Sequence, residues 1–264
     1  MAGIVQIRGL ILGEGRPKIC LPITGKTVNE IFSQAREIVK HPVDIVEWRA
    51  DWFSEYQQGS LDSTEDVLVG LREILRGIPL IFTLRTKREG GEMECNYGEY
   101  RKILLEVIDR CEHVNNKPGA LIDAMDVEIY IADESSVSDL ISTLHAHFMK
   151  VIASNHDFYK TPSKQELFDR LSYMDRMGSD ICKVAVMPQA AEDVLTLLAA
   201  TTMAHETLPK PVITMSMGNL GLVSRLSGQT FGSCLTFGCV GRASAPGQVE
   251  ADRLHDALSL WVKE

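Results

Sequence analysis

The chain has 264 residues, of which 45% are hydrophobic and 24% charged, as in soluble globular proteins that bury a large core. Its formal net charge of −9 disfavours nucleic-acid binding and docking on an anionic membrane, because both need clustered positive charge. We expect a cytoplasmic protein with reduced thiols, since no signal-like or membrane-spanning run is present and no zinc-like spacing links its cysteines, Cys20, Cys95, Cys111, Cys182, Cys234 and Cys239.

Hydrophobic periodicity predicts strands and helices that alternate along the chain after a short strand or hairpin in residues 1–12. The predicted strands cover residues 18–23, 43–48, 78–84, 120–125, 148–153, 181–186, 211–215 and 233–237. The predicted helices cover residues 27–40, 63–75, 97–111, 136–145, 163–177, 190–203, 219–227 and 250–262, with Ser163 as an N-cap.

Eight strand–helix units without a break in composition predict an α/β fold with a parallel sheet. Eight repeats favour closure of that sheet into a (β/α)₈ TIM barrel, with a short N-terminal hairpin and a single domain over residues 1–264. An open, doubly wound sheet is the alternative, but no glycine-rich dinucleotide motif follows the first strand.

The predicted strand 181–186 is apolar except for one lysine, Lys183. Burial disfavours a charged amine, so we expect Ile181, Val184 and Val186 to lower the pKa of Lys183 and keep its amine neutral. A neutral amine is a nucleophile that forms an imine with a ketone or aldehyde. The alternative is a lysine that extends to solvent along its apolar neighbours.

Polar side chains also follow the other predicted strands, at the barrel end where such folds carry their active sites. They include Glu47, Arg49, Arg85, Asp126, Glu128, His156, Arg225, Ser244 and Gln248.

Each of these residues has a structural alternative. Glu47 and Arg49 are suited to an ion pair, and Arg85 to pairing with Glu89 or Glu92. Arg225 is alternatively a solvated cation on a helix. His156 is alternatively a residue that only forms hydrogen bonds with backbone groups of its own turn. Asp126 and Glu128 stay unassigned, since they either orient the lysine or neutralise neighbouring arginines.

Together the polar residues predict a coherent chemistry. An imine on the lysine acts as an electron sink, a histidine moves the proton from the adjacent carbon, and arginines bind a carboxylate. In the loop 241–248, Gly241 and Gly247 flank Ser244 and Pro246. This arrangement favours a closing lid with Ser244 and Gln248 as donors. We therefore expect a small, hydroxylated keto acid as substrate.

The ordered motifs of the chain resemble those of type I 3-dehydroquinate dehydratases over nearly its whole length. The motifs are Glu47-Trp48-Arg49, Arg85 with Glu89-Gly90-Gly91-Glu92, Ser154-x-His156-Asp157-Phe158, Lys183-Val184-Ala185, Met215-Ser216-Met217 and Ser244-Ala245-Pro246-Gly247-Gln248. The resemblance implies a barrel of the class I aldolase type, a homodimer, and the third step of the shikimate pathway. It implies no metal and no organic cofactor.

The resemblance also implies a role for each site residue. Lys183 forms the imine with the C3 ketone of 3-dehydroquinate, and His156 removes the C2 proton and helps the C1 hydroxyl to leave. Glu89 orients that histidine, and Arg225 binds the carboxylate. The residues that hold the ring hydroxyls and the carboxylate are Glu47, Arg49, Arg85, Ser244 and Gln248.

Three other functions compete with this prediction. One is an imine-forming aldolase acting on a sugar phosphate, with Gly238, Gly241 and Gly247 around the phosphate. A second is a metal-dependent hydrolase, and the third is a binding barrel without catalysis. The hydrolase would use His156, Asp157, Asp126 and Glu128.

Overall fold

The computed structural model describes residues 3–115, 121–241 and 243–260. Its strands are β1 (Val5–Ile7), β2 (Leu10–Leu12), β3 (Lys18–Ile23), β4 (Ile45–Arg49), β5 (Leu80–Thr83), β6 (Ala124–Glu128), β7 (Lys150–Asp157), β8 (Ile181–Val186), β9 (Val212–Ser216), β10 (Leu235–Cys239) and β11 (Val249–Glu250). Its helices are α1 (Val28–Ile38), α2 (Ser54–Gln57), α3 (Thr64–Leu75), α4 (Tyr97–Asn115), α5 (Glu134–Ala146), α6 (Lys164–Arg176), α7 (Ala191–Thr207), α8 (Leu222–Leu226), α9 (Gly228–Phe231) and α10 (Ala251–Ser259).

The strands β3 to β10 form a parallel sheet that curls into a barrel. Each of them pairs with the next strand along the chain from β3 to β9, and β10 pairs with β3. The ring closes just before β10, where Val212 bridges Ser233 in parallel and its carbonyl accepts the Cys234 N–H at 2.9 Å. The prediction of a (β/α)₈ barrel-like α/β fold is confirmed.

The N-terminal hairpin, β1 with β2, closes the bottom of the barrel. Its strands are antiparallel, and Val5, Ile7 and Leu12 pack against the first inward-facing residues of the barrel strands. Those residues are apolar and form one layer: Cys20, Ile45, Ile81, Ala124, Ile152, Ile181, Ile213 and Leu235. This end of the barrel is therefore sealed, and inward-facing polar residues occur only beyond the layer, toward the C-terminal ends of the strands.

The second core lies between the barrel and its helices, and it fixes which face of each strand points inward. In β8, Cys182, Val184 and Val186 pack outward against α6 and α7, whereas Ile181 and Ala185 belong to the barrel interior. Because side chains alternate along a strand, Lys183 also points into the barrel.

Local signals account for the helix starts. Thr27, Asp133 and Ser163 each accept a backbone N–H of the first turn with the side-chain oxygen, as N-caps do. Ser163 was predicted in this role. The predicted closing helix began at residue 250 and α10 begins at Ala251; the predicted end, residues 261–262, lies outside the described residues.

Candidate active site

A cavity of about 150 Å³ lies at the C-terminal end of the barrel strands. Its volume is below the roughly 300–1,000 Å³ of pockets for drug-sized ligands, so it suits a small metabolite. Every site residue predicted from the sequence lines this one cavity: Glu47, Arg49, Arg85, Glu89, His156, Lys183, Arg225, Ser244 and Gln248.

Lys183 is buried at the floor of the cavity, with 4% of its surface exposed. Its Nζ donates to Asp126 Oδ2 at 2.9 Å and lies 3.6 Å from Glu47 Oε1. The same nitrogen stands 4.6 Å from the ring centroid of Phe237, within cation–π range. The alternative of a lysine that extends to solvent is wrong.

The expected apolar surroundings of this amine are also wrong in part. Val184 and Val186 lie one and three positions after Lys183 in β8. Because side chains alternate along a strand, both point away from the barrel interior. Ile181 lies on the inward face but in the apolar layer below. Two carboxylates and an aromatic ring, contributed by β4, β6 and β10, surround the amine instead.

Asp126 links the lysine to the neighbouring arginine. Arg85 Nη2 donates to Asp126 Oδ1 at 2.6 Å, and the hydroxyl of Ser154 donates to the same oxygen. Burial alone raises the pKa of Asp126, but Arg85 and Lys183 outweigh it and hold that pKa below the usual range. Asp126 therefore both orients the lysine and neutralises an arginine, the two alternatives left open by the sequence.

Arg85 is fully engaged by acids. In addition to Asp126, its Nη1 donates to Glu128 Oε1 at 3.1 Å and lies 3.5 Å from Glu89 Oε2. Glu128 further accepts the backbone N–H and the hydroxyl of Thr86, both at 2.7 Å. The predicted pairing with Glu89 is present, and these contacts make Arg85 the centre of a buried ionic network.

His156 and Glu89 form a pair at the side of the cavity. Nδ1 of His156 lies 2.9 Å from Glu89 Oε2, and the backbone N–H of His156 donates to that same oxygen at 2.9 Å. Burial, with Arg85 and Lys183 nearby, lowers the pKa of His156 well below its ordinary value, so the ring is neutral. Burial also raises the pKa of Glu89 to about 8.

Local backbone geometry presents Glu89 to the histidine. Glu89 ends a 3₁₀ turn, Lys87–Glu89, and Gly90 follows with a left-handed φ of 78°. A Cβ on Gly90 would collide with the ring of Phe158, which packs directly on this glycine. The motif Glu-Gly therefore lets the aromatic ring approach while the carboxylate turns inward.

Arg225 is a buried cation that no acid of the described residues contacts. It is 1% exposed, and its Nη2 donates to the carbonyl of Pro246 at 3.0 Å, while Nη1 is 3.7 Å from Met215 Sδ. Nε is buried without a hydrogen-bond partner, and among the described residues no carboxylate pairs with this side chain. Burial lowers the pKa of Arg225 to about 10. A solvated helix cation is therefore the wrong description.

Arg49 pairs with an acid that the sequence prediction did not name as its partner. Its Nε and Nη2 bind Asp51 in a two-pronged ion pair, with both distances at 2.7 Å. Glu47, the partner suggested by the sequence, instead accepts the hydroxyl of Thr83 at 2.9 Å and faces Lys183. The acid that pairs with Arg49 therefore lies two residues after it in the chain, whereas the expected acid lies two residues before it.

The loop after β10 covers the cavity and is docked on the turn after β9. Gly247 has a φ of 78°, where a Cβ would strike the backbone of Gly218, and the Gly218 N–H donates to Pro246 at 3.2 Å. Ser244 and Gln248 bind each other, with the Ser244 N–H donating to Oε1 at 2.8 Å and Nε2 donating to the hydroxyl at 2.9 Å. Arg242, within the predicted lid, lies outside the described residues.

Phe237 and Asn155 were not assigned from the sequence, yet both lie at the site. Phe237 is the inward residue of β10 above Leu235, so counting in steps of two along the strand would have found it. Asn155 contacts Glu89, a link between elements far apart in sequence that no local pattern reveals.

A membrane-spanning helix and a metal-holding cluster are both absent from the described residues. None of the helices is both long and apolar enough to span a membrane. In the same part of the chain no cluster of three or more His, Cys, Asp or Glu side chains has the arrangement to hold a metal ion. Asp126 and Glu128, named for the hydrolase alternative, are bound to Arg85 instead.

Known proteins resemble the chain in sequence and in structure. Residues 19–263 match the family model described as type I 3-dehydroquinase. The 3-dehydroquinate dehydratase of Lactiplantibacillus plantarum is 46% identical over 258 residues, which cover 98% of each chain. A crystal structure of type I 3-dehydroquinate dehydratase from Clostridium difficile, with covalently modified comenic acid, is 40% identical with a TM-score of 0.88 and covers 98% of both chains. The enzyme from Geobacillus kaustophilus is 35% identical with a TM-score of 0.89, covering 97% and 95%.

Proposed function

The chain belongs to the type I 3-dehydroquinase family, and on that premise we propose that it dehydrates 3-dehydroquinate to 3-dehydroshikimate through an imine on Lys183. The observation that carries the proposal is one cavity that holds a buried lysine, a neutral histidine and an arginine with no carboxylate partner among the described residues. These are a nucleophile, a proton carrier and an anion site for a keto acid.

The reaction begins with the amine of Lys183. The free amine adds to the C3 ketone to give a carbinolamine, which takes up one proton and loses water to become a protonated imine. Asp126 supports this step because its carboxylate lies 2.9 Å from Nζ and stays ionised. The covalently modified comenic acid of the Clostridium difficile structure is consistent with covalent chemistry in this family.

His156 then moves the proton. The imine draws electrons from C2, so a neutral imidazole takes a C2 proton and leaves an enamine. The same ring, now protonated, donates to the C1 hydroxyl, which departs as water while the C1–C2 double bond forms. Water then hydrolyses the imine and releases the product, so the net change is the loss of one water molecule.

Arg225 binds the substrate carboxylate in this proposal. Within the described ranges, its Nε has no partner and its other nitrogens meet a carbonyl and a sulfur, whereas Arg49 and Arg85 are already paired with acids. A carboxylate therefore gains two-pronged recognition at Arg225 without breaking an existing ion pair. Glu47, Ser244 and Gln248 are left to bind the ring hydroxyls.

Turnover of 3-dehydroquinate tests the proposal directly. The product is a conjugated ketone, so its formation is followed by ultraviolet absorbance. We expect dehydration by the wild type, no dehydration by Lys183→Met, and wild-type rates for the matched control Lys160→Met, whose side chain is exposed beyond β7. Undiminished turnover by Lys183→Met would contradict the imine, and inactivity of the wild type would contradict the proposed substrate.

We further infer a homodimer, which the family resemblance implies. Sedimentation equilibrium should give twice the chain mass of 29.3 kDa. A mass that stays at that of one chain at micromolar concentration would contradict this inference.

A further inference from the structure

A chain of hydrogen bonds connects the active-site histidine to the outside of the barrel. Arg170 on α6 donates from Nη1 to Asn155 Oδ1 at 2.8 Å, and Asn155 donates from Nδ2 to Glu89 Oε1 at 3.1 Å. Glu89 contacts His156 through its other oxygen. Arg170 itself lines a second, open cavity of about 690 Å³, which Asn155, Glu89 and His156 also line.

The chemistry of the donors fixes the direction of this chain. An arginine side chain only donates hydrogen bonds, so the oxygen of the Asn155 amide must face Arg170. The amide nitrogen must then face Glu89 and donate to it. The orientation of the Asn155 amide thus follows from its neighbours. Because Arg170 takes the amide oxygen, the amide nitrogen is the atom that faces Glu89.

Glu89 is consequently surrounded by donors. Asn155 donates to Oε1, the backbone N–H of His156 donates to Oε2, and Nη1 of Arg85 lies 3.5 Å away. These donors favour the ionised carboxylate, against the burial that raises the pKa of Glu89 to about 8. Once ionised, Glu89 only accepts hydrogen bonds, so Nδ1 of the histidine ring carries the proton between them. With Nδ1 protonated in a neutral ring, Nε2 carries a lone pair and is the atom able to act as a base.

Burial and other charged groups also affect the ionisation of Glu89 and the protonation of His156. Burial opposes ionisation of Glu89 most strongly, and Glu128 and Asp126 add to its effect, so the pKa of Glu89 is raised to about 8. On the histidine ring, burial and then the cations Arg85, Lys183 and Arg49 disfavour a second proton and lower its pKa, whereas Asp126 favours that proton. The balance is close enough to neutral pH for one neutral donor to matter.

We propose that Asn155 and Arg170 are positioning residues that select the Nδ1-protonated tautomer of His156 by holding Glu89 as a hydrogen-bond acceptor. The proposal rests on the proposed function for its effect on rate, but the tautomer itself is a property of the free protein. Neither residue needs to touch the substrate.

Two substitutions and a matched control isolate the effect. Asn155→Asp keeps the size of the side chain and its bond to Arg170 but replaces the donor facing Glu89 with an acceptor. Arg170→Met removes the group that orients the amide. Glu166→Gln is the control, because it weakens the 2.6 Å ion pair of Arg170 Nη2 with Glu166 and leaves Nη1 on Asn155.

The direct readout is the tautomer of His156 in the free protein, measured by ¹⁵N NMR of histidine-labelled samples and assigned by loss of its signals in His156→Gln. We expect a protonated Nδ1 and a bare Nε2 in the wild type and in Glu166→Gln above about pH 8, where Glu89 is ionised. Asn155→Asp should shift the population toward a protonated Nε2, and Arg170→Met should do so to a smaller extent. Identical spectra for the wild type and Asn155→Asp would overturn the proposal.

Kinetics give the second readout. For Asn155→Asp we expect kcat at pH 7 to fall about 10–100-fold, the range that a hydrogen bond to a charged group supports, with KM nearly unchanged. The acidic limb of the kcat profile should move to higher pH, because Glu89 then ionises less readily. In a Glu89→Gln background the substitution should add little, since residues acting through one another are not additive. Additive losses or an unmoved limb would mean that Asn155 is only structural.

These experiments test the proposed function and the positioning role of Asn155 and Arg170 independently. If the wild type does not dehydrate 3-dehydroquinate, the proposed function is wrong, yet the NMR comparison still decides the role of Asn155. If turnover is present but the tautomer does not respond, only the positioning role is wrong.

Discussion

Arg225 carries a positive charge inside the protein with no described carboxylate to balance it. Its pKa falls from the ordinary 12.5 to about 10 on burial. Since one pKa unit corresponds to about 1.4 kcal/mol, the unliganded protein loses on the order of 3 kcal/mol of stability by holding this charge. A substrate carboxylate would recover that cost on binding.

Arg225→Met should therefore separate stability from function. Methionine is similar in length and apolar, so the cost of the buried charge disappears, while the Pro246 carbonyl loses a donor worth about 1 kcal/mol. We expect the free energy of unfolding of the unliganded protein to rise by about 1–2 kcal/mol. Loss of one partner of a buried charge pair costs about 3–5 kcal/mol, so kcat/KM should fall at least 100-fold, mainly through KM.

The assays are urea denaturation of the free protein and steady-state dehydration kinetics, with Arg225→Lys as the comparison. Lysine keeps the charge but loses the two-pronged geometry, so its KM should lie between those of the wild type and Arg225→Met. Quinate, which keeps the carboxylate and lacks the ketone, should raise the melting temperature of the wild type and not that of Arg225→Met. A destabilised Arg225→Met protein with an unchanged KM would refute this reasoning.

Three further substitutions test other parts of the site. His156→Ala should lower kcat by about 10²–10⁴-fold with a much smaller change in KM; comparable losses in both would make His156 structural. Asp126→Asn removes a buried carboxylate shared by Arg85 and Lys183. Urea denaturation should show a free energy of unfolding lower by about 3–5 kcal/mol. A decrease below about 0.5 kcal/mol would contradict the ionic network. Gly90→Ala places a Cβ against Phe158 at a left-handed φ, so the melting temperature should fall with a loss of about 1–3 kcal/mol, whereas unchanged stability would show that the ring moves aside freely.

The fold was predictable because its pattern is local and repeated. The strands over residues 18–23 and 181–186 have the predicted bounds, since a continuous apolar run marks a strand buried on both faces. Strand β7 runs to Asp157, four residues beyond the predicted end at residue 153. Its polar residues interrupt the apolar pattern, but the backbone still pairs with β8 as far as Asp157 opposite Val186.

The gathering of site residues was also predictable, because the C-terminal ends of parallel strands meet at one end of a barrel. Several of their partners were not, since they come from distant elements. The acids around Lys183 come from β4 and β6, and the sequence suggested apolar neighbours instead. Arg49 binds Asp51 rather than Glu47, because β4 ends at Arg49 and the 3₁₀ turn that follows, Ala50–Trp52, brings Asp51 onto the guanidinium.

Trapping of the covalent intermediate tests the central claim most directly. Borohydride added during turnover of 3-dehydroquinate should reduce the imine to a stable secondary amine, and peptide mass mapping should place the adduct on Lys183, at the mass of the bound acid less one oxygen atom. The adduct should be absent from Lys183→Met and from wild type treated without substrate. An adduct on another residue, or active enzyme that yields none, would contradict the imine mechanism.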